Sequence, residues 1–172
     1  MTTQALQCRI RLLLWIFIFG LVVSGVTAIP LETEIKLLTQ IIGANDSANL
    51  EQSGLLRWLV RVRNGLVETN AKHPFIAYGT DWLAFAHFVI AMAFIGPLRD
   101  PVKNVWVIEF GMIACVLVVP FAMVMGGIRG IPLAWRLIDC SFGVLGIIPL
   151  WFCRGLIKQL SETHAKPPQE AR

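Results

Sequence analysis

The sequence predicts an all-α fold, an integral membrane bundle of four transmembrane helices with a short amphipathic extracytoplasmic helical segment. Hydrophobic residues make up 56% of the 172 residues and charged residues only 15%, whereas soluble domains contain about 25% charged residues. Four segments with few or no charges are each close to the ~20 residues that cross a ~30 Å hydrocarbon core as a helix. We therefore expect a multi-pass membrane protein.

The four expected spans divide the chain into regions. The spans cover residues 12–29, 82–98, 105–125 and 137–153. Tryptophans lie near their ends, as in the aromatic belts at membrane interfaces: Trp82, Trp106, Trp135 and Trp151. The regions are the N-terminus with the first helix (1–29), an extracytoplasmic loop (30–78), a three-helix transmembrane region (79–153) and a cytoplasmic tail (154–172).

The first span permits two interpretations. It ends in Val26-Thr27-Ala28, and small residues at such a point are typical of a signal-peptide cleavage site. The apolar run of residues 12–29, however, is longer than the ~7–15 residues of a signal-peptide core. Gly20 and Ser24 also give one helix face small residues against which another helix can pack. We favour a retained transmembrane helix over a cleaved signal peptide.

The distribution of basic residues predicts the orientation of the chain. The N-terminus, the turn between the second and third spans, and the tail hold eight such residues: Arg9, Arg11, Arg99, Lys103, Arg154, Lys158, Lys166 and Arg172. The short connection between the third and fourth spans holds two, Arg129 and Arg136. Because basic residues concentrate in short cytoplasmic loops, we expect both termini to be cytoplasmic. The compact loops favour a bacterial inner (plasma) membrane.

The loop of residues 30–78 has an amphipathic pattern that predicts two short helices. Apolar residues recur there at helical spacing: Leu31, Ile35, Leu38 and Ile42, then Leu55, Leu59, Val62 and Leu66. Three arginines beside Trp58 suit a helix that lies at the lipid headgroups, and a helical hairpin that caps the bundle fits the pattern equally well. In the tail, residues 161–172 lack apolar periodicity, and we expect them to be disordered.

Several classes of function find no support in the sequence. The formal charge of +4 reflects basic residues that flank the spans, and no basic stripe interleaved with aromatic residues indicates nucleic-acid binding. The four cysteines contain no C-x-x-C pair and lack metal-ligand spacing, and Ser141 lacks the context of a hydrolase nucleophile. We expect no cofactor, no metal and no nucleic-acid partner, and an enzyme is the least favoured class.

Three carboxylates lie near the ends of the spans, where a charge costs less than at the bilayer centre. Asp81 and Asp139 fall in the outer layer, together with the arginines of the short connection. Glu109 falls in the inner layer with three basic residues: Arg99, Lys103 and Arg154. We interpret the carboxylates as members of ion pairs that fix the register of the helices. The residues with an expected structural polar or ion-pairing role are Arg129, Arg136, Asp139 and Ser141.

His87 lies about 9 Å deeper than Asp81 along the same helix, too deep for its side chain to reach the interface. It shares a helix face with small residues on which a neighbour can pack closely: Thr80, Ala84 and Ala91. At a matching depth in the third span, Pro120 frees the carbonyl of Val116. We therefore predict that His87 points into the bundle and donates a hydrogen bond to a kinked neighbouring helix.

The same residues also support a ligand or proton path through Asp81, His87 and Glu109, because a histidine titrates near physiological pH. The leading hypothesis is a noncatalytic subunit or accessory protein of a membrane assembly, packed through surfaces of small residues. The alternative is a small proton-linked transporter or channel component. We expect the partners to be the lipid bilayer and either further copies in a homo-oligomer or other membrane subunits.

Overall fold

The computed structural model describes residues 2–44 and 54–165, and these residues form helices with no strand among them. The all-α fold class is thereby confirmed. In chain order the helices are α1 (Thr3–Ala28), α2 (Leu31–Ile41), α3 (Gly54–Lys72), α4 (Tyr78–Ala93), α5 (Ile95–Arg99), α6 (Val105–Ile128) and α7 (Leu133–Ala165), with a 3-10 turn at Pro74–Ala77 before α4.

Four helical segments are long and apolar enough to cross a membrane. They are Thr3–Ala28, Pro74–Arg99, Val105–Ile128 and Leu133–Thr163. Three of them contain a predicted apolar segment in full, and the first contains all of its segment except Ile29. The agreement follows because about 20 apolar residues in a helix match the thickness of the hydrocarbon core. The chain is therefore a multi-pass integral membrane protein.

The first and last helices extend beyond the predicted spans. α1 begins at Thr3 and α7 continues to Ala165. Ile157 and Leu160 are buried against the core, so α7 gains stabilising contacts well beyond its apolar stretch. The expectation of disorder from residue 161 onward is wrong as far as Ala165, and residues 166–172 lie outside the described part of the chain.

Helix α1 occupies the centre of the transmembrane region. It packs against α4 on one side and against α7 on the other, and α6 packs against α7. The order of the helices is therefore α4, α1, α7, α6. The two outer helices, α4 and α6, are connected by α5 and the turn that follows it. Buried residues recur at every fourth position of α1 and so lie on one face of the helix: Leu6, Ile10, Leu14 and Ile18.

The shared core lies where α1 begins and α7 ends, which we call the termini end. Buried residues of α1, α4, α6 and α7 contribute to it. Phe94, at the break between α4 and α5, is 0% exposed, and its ring centroid lies 4.7 Å from that of Phe17 on α1. Gly111 of α6 makes room for this ring, because an added Cβ would lie 2.8 Å from Cζ of Phe94. The four spans thus meet around Phe94.

At the opposite end, which we call the hairpin end, the closest glycine contacts join the spans in pairs. Gly25 brings α1 against α4, since an added Cβ would lie 3.1 Å from the carbonyl oxygen of Ala84. Gly143 of α7 abuts the carbonyl oxygen of Cys115 on α6. The core cluster contains no buried residue of α7 before Leu150, so the shared core does not extend to the hairpin end.

Helices α2 and α3 pack against each other as an antiparallel hairpin. Ile35 and Leu59 are its buried apolar residues. The side-chain amide of Asn70 on α3 donates a hydrogen bond of 2.6 Å to Glu32 on α2. Hydrogen bonds from Lys36 and from Asn70 lower the pKa of the Glu32 carboxyl below its ordinary value, although burial opposes the shift.

Replacing Gly143 by alanine tests the close approach of α6 and α7. The added methyl group would meet the Cys115 carbonyl and lie 2.5 Å from Cγ1 of Val118, and overpacking of this kind costs about 1–3 kcal/mol. We expect Gly143→Ala to lower the melting temperature of the protein in detergent. Gly20→Ala is the matched control, because nothing lies within 4 Å of that position. Equal melting temperatures for the two variants would contradict the contact.

Candidate functional site

The ionisable residues identified in the sequence lie at separate places in the bundle. Asp81 and His87 are on α4, at one edge of the helix order, and Glu109 is on α6, at the other edge. Arg129 follows α6 at the hairpin end. The first half of α7 carries the remaining candidates, Arg136, Asp139 and Ser141. The structure therefore does not gather the three residues of the predicted path into one cluster.

Glu109 is ion-paired with Arg154 across the contact between α6 and α7. Nη2 of Arg154 lies 2.9 Å from Oε1 of Glu109, and Nε donates to the same oxygen at 3.0 Å. The expected pairing of Glu109 with a basic residue of the inner layer is thus made by Arg154. Lys103 instead pairs with Asp100 at 3.5 Å, within the turn that precedes α6.

A glycine closes the connection that follows α6. Gly130 adopts a φ of 67°, a left-handed conformation that glycine accommodates without strain. The N–H of Ile131 donates to the carbonyl of Gly126 at 2.8 Å, and the N–H of Gly130 donates to that of Gly127 at 3.1 Å. This pair of bonds is the Schellman motif that ends many helices, and it brings the start of α7 close to the end of α6.

Arg136 covers that helix end and does not pair with Asp139. Its Nε donates to the carbonyl of Ile131 at 2.7 Å and its Nη1 to that of Met123 at 3.4 Å. Its side-chain carbons lie over Gly126, where an added Cβ would be 2.7 Å from Cδ. A cation at a helix C-terminus satisfies free carbonyls and complements the helix dipole. The guanidinium is therefore bonded to the backbone, which corrects the expected ion pair.

Asp139, like Asp81, has no counter-ion among the residues that the structure describes. It is half-buried, about 9 Å along α7 from Leu133, and it makes no hydrogen bond or ion pair with the residues that the structure describes. Arg129, the other expected partner, is exposed and forms no ion pair within the same residues. Ionisable groups inside spans pair with one another or face a cavity, which makes Asp139 a functional candidate.

His87 bonds to its own helix. Its Nδ1 lies 2.7 Å from the carbonyl oxygen of Leu83, a group that can only accept, so this bond places the proton on Nδ1. The predicted bond to the Val116 carbonyl on α6 is not formed. The reason is that α1 packs on this face of α4: a Cβ added at Gly25 would lie 3.1 Å from Cβ of His87.

Asp81 lies on the exposed surface of α4, beside a ladder of aromatic side chains. The rings of Tyr78 and Trp82 are 5.9 Å apart, and those of Trp82 and Phe85 are 5.6 Å apart. Together with Asp81 they line a shallow groove of 250 Å³. Aromatic rings of this kind are typical of the membrane interface, where a carboxylate can be hydrated.

A larger cavity of 660 Å³ lies at the hairpin end, between the end of α1, the α2–α3 hairpin and the start of α4. Its polar lining consists of Glu32, Thr33, Thr69, Asn70 and Thr80. Three of these are already bonded, because Asn70 donates to Glu32 and Thr80 donates to the carbonyl of Ala77. The cavity thus offers hydroxyl and carboxylate oxygens to a small polar ligand, without an evident nucleophile.

Local hydrogen bonds satisfy Ser141, whose hydroxyl donates to the carbonyl of Ile138 at 2.6 Å. Such a bond within one helix needs no neighbouring chain segment. In the described residues no three His, Cys, Asp or Glu side chains come together as possible metal ligands. The four cysteines are not joined in disulfides, and two of them, Cys140 and Cys153, are buried.

Comparison with family models, curated proteins and solved structures finds no match to this chain. The class of protein is therefore defined by the helices themselves. It is a multi-pass helical membrane protein with an amphipathic hairpin at one end, a packed core at the other, and a carboxylate without a counter-ion inside the described part of the fourth span.

A double-mutant cycle on Glu109 and Arg154 tests the ion pair. The two side chains are 43% and 52% exposed, and pairs this exposed to solvent contribute about 0.2–1 kcal/mol. We expect Glu109→Gln, Arg154→Gln and the double variant to give a coupling energy in that range from unfolding in detergent. The coupling should shrink as salt is added. A coupling of zero at low salt would show that the pair does not form.

Proposed function

We propose that this chain is a noncatalytic subunit or accessory protein of a membrane assembly, and that a transmembrane segment of a second copy or of another subunit docks at the hairpin end beside Asp139. The observation that carries the proposal is the half-buried carboxylate of Asp139, which has no counter-ion among residues 2–44 and 54–165. A basic or hydrogen-bond-donating side chain on an added helix would supply the partner that such a group needs.

The face of α7 that carries Asp139 supports this location. Asp139, Gly143 and Gly146 follow one another at spacings of four and three residues, which places them on one side of the helix. Gly143 abuts α6, and a Cβ added at Gly146 would lie 3.0 Å from Sγ of Cys115 on α6 and 3.5 Å from Cε2 of Phe17 on α1. Asp139 continues this inward face toward the hairpin end, beyond the shared core.

The exposed surface of α6 offers a second feature that suits a docked helix. Residues around Pro120 line an open apolar groove of 680 Å³ that belongs to α6 alone. Helices associate in a bilayer through close van der Waals packing, and small side chains favour it. Ala114 and Pro120 make this surface uneven, so that larger side chains of a partner helix could pack between Leu117 and Phe121.

A small proton-linked transporter or channel component is the alternative, with Asp81, His87 and Glu109 as its polar path. It has less support, because Glu109 is engaged by Arg154 and lies on the opposite edge of the helix order from the other two residues. The alternative requires pH-dependent flux in proteoliposomes that is lost in His87→Ala. The assembly role does not depend on any such flux.

We further propose that both termini lie in the cytoplasm and that the membrane is a bacterial inner membrane. The N-terminus, the turn before α6 and the tail hold eight basic residues in the sequence, against two in the connection between α6 and α7. This bias supports the orientation, since basic residues are enriched in short cytoplasmic loops. The α2–α3 hairpin would then lie on the extracytoplasmic side.

Removing the Asp139 carboxylate tests the assembly role. Native mass spectrometry of the protein, extracted gently from its own membrane, should show a fixed complex with a second copy or another subunit. We expect Asp139→Leu to weaken that complex at least about tenfold, which corresponds to ~1.4 kcal/mol. Asp139→Asn, which retains hydrogen-bonding groups, should weaken the complex less.

The matched control is Asp81→Leu, which removes an exposed carboxylate from α4 and should leave the complex intact. A monomeric wild-type protein would rule out the assembly role. A complex that survives Asp139→Leu unchanged would show that docking does not involve this carboxylate.

A further inference from the structure

A groove on the surface of α4 combines a carboxylate with three aromatic rings. Its volume is 250 Å³, and residues on one side of the helix contribute to its lining: Tyr78, Asp81, Trp82 and Phe85. The three aromatic side chains are each more than half exposed. The groove therefore opens toward the surroundings of the bundle, and its occupant must come from the membrane or from the solution beside it.

The Asp81 carboxylate is available to a cation. It is exposed, and it forms no hydrogen bond or ion pair with the residues that the structure describes. His87 on the same helix lies about 9 Å deeper and is bonded to the carbonyl of Leu83, so it does not supply a counter-ion. A carboxylate inside a span needs an opposite charge or water, and a cation held in the groove would provide that charge.

The aromatic rings beside Asp81 add a second attraction for a cation. The Trp82 ring is nearly perpendicular to both of its neighbours, at 82° to Tyr78 and 90° to Phe85. Perpendicular rings do not cover each other's faces as stacked rings do, so ring faces stay open to the groove. A cation over such a face is attracted by the ring quadrupole, most strongly by that of tryptophan. The groove thus offers a carboxylate and a tryptophan face to the same positive charge.

The groove changes from polar to apolar along the helix. Tyr78 and Trp82 are of the residue types enriched at membrane interfaces, and Asp81 lies between them in the sequence. Phe85 follows Asp81 by about one turn, or roughly 6 Å toward the membrane interior. A phospholipid with an amine headgroup has the same profile, with an ammonium group at the surface and hydrocarbon below it. A soluble amine would leave Phe85 without a contact.

The N–H groups of the amine select among such lipids. A primary ammonium donates charge-assisted hydrogen bonds to a carboxylate, whereas a trimethylammonium group has no N–H to donate. We propose that this groove binds one phosphatidylethanolamine, with its ammonium between the Asp81 carboxylate and the Trp82 ring and an acyl chain along Phe85. The inference does not depend on the proposed assembly, because Asp139 is on α7 and α1 separates α7 from α4 in the helix order.

Competition between two zwitterionic lipids tests the site. Purified protein in detergent is incubated with equal amounts of phosphatidylethanolamine and phosphatidylcholine that carry identical chains, and bound lipids are counted by native mass spectrometry. We expect one phosphatidylethanolamine, preferred about tenfold, which is the effect of a hydrogen bond to a charged group. Asp81→Leu should abolish the preference. The control is Glu162→Leu, which removes an exposed carboxylate from α7 and should retain it.

A second pair of variants tests the aromatic part of the groove. Trp82→Leu should reduce bound phosphatidylethanolamine about threefold, the effect of a cation–π contact at an exposed site. Trp106→Leu, at a tryptophan of α6 that is 62% exposed, should not reduce it. The proposal is overturned if the two lipids bind equally, or if either control variant weakens binding as much as its counterpart in the groove. It is equally overturned if free ethanolamine displaces the lipid, which would assign the groove to a soluble amine.

Discussion

The burial of Phe94 among the four spans is the contact on which the rest of the structure depends. Lipid chains are as apolar as leucine, so helices associate in a membrane through close packing and hydrogen bonds. Phe94 fills the space that Gly111 leaves on α6 and packs against Phe17 of α1. Helix α1 in turn presents a continuous buried face. This packing determines the order of the helices and therefore which surfaces face lipid.

Because the packing is concentrated at the termini end, the hairpin end lacks a shared core. There the helices approach in pairs at glycines, and the guanidinium of Arg136 is occupied by backbone carbonyls. The carboxylate of Asp139 is consequently left without a cation in the described part of the chain. A packed core at one end and an incomplete polar surface at the other support the proposed subunit role.

The position of a residue along its helix could be predicted from the sequence, whereas the direction of its side chain around the helix could not. Long apolar segments predict the spans because length must match the bilayer, and shared depth correctly suggested Arg154 as a partner of Glu109. The same reasoning failed for Asp139, because Arg136 at a similar depth turns to the end of α6. It also failed for His87, because α1 covers that face of α4. Helix order depends on contacts between distant segments, which local patterns do not encode.

The most direct test compares the unfolding free energies of Phe94→Ala and Phe19→Ala in mixed micelles. Both remove the same ring, but Phe94 is 0% exposed and Phe19 on α1 is 69% exposed. We expect Phe94→Ala to lose about 3–5 kcal/mol, as core phenylalanines do, and Phe19→Ala to change by no more than ~0.5 kcal/mol. Equal losses, or a larger loss for Phe19→Ala, would contradict a bundle organised around Phe94.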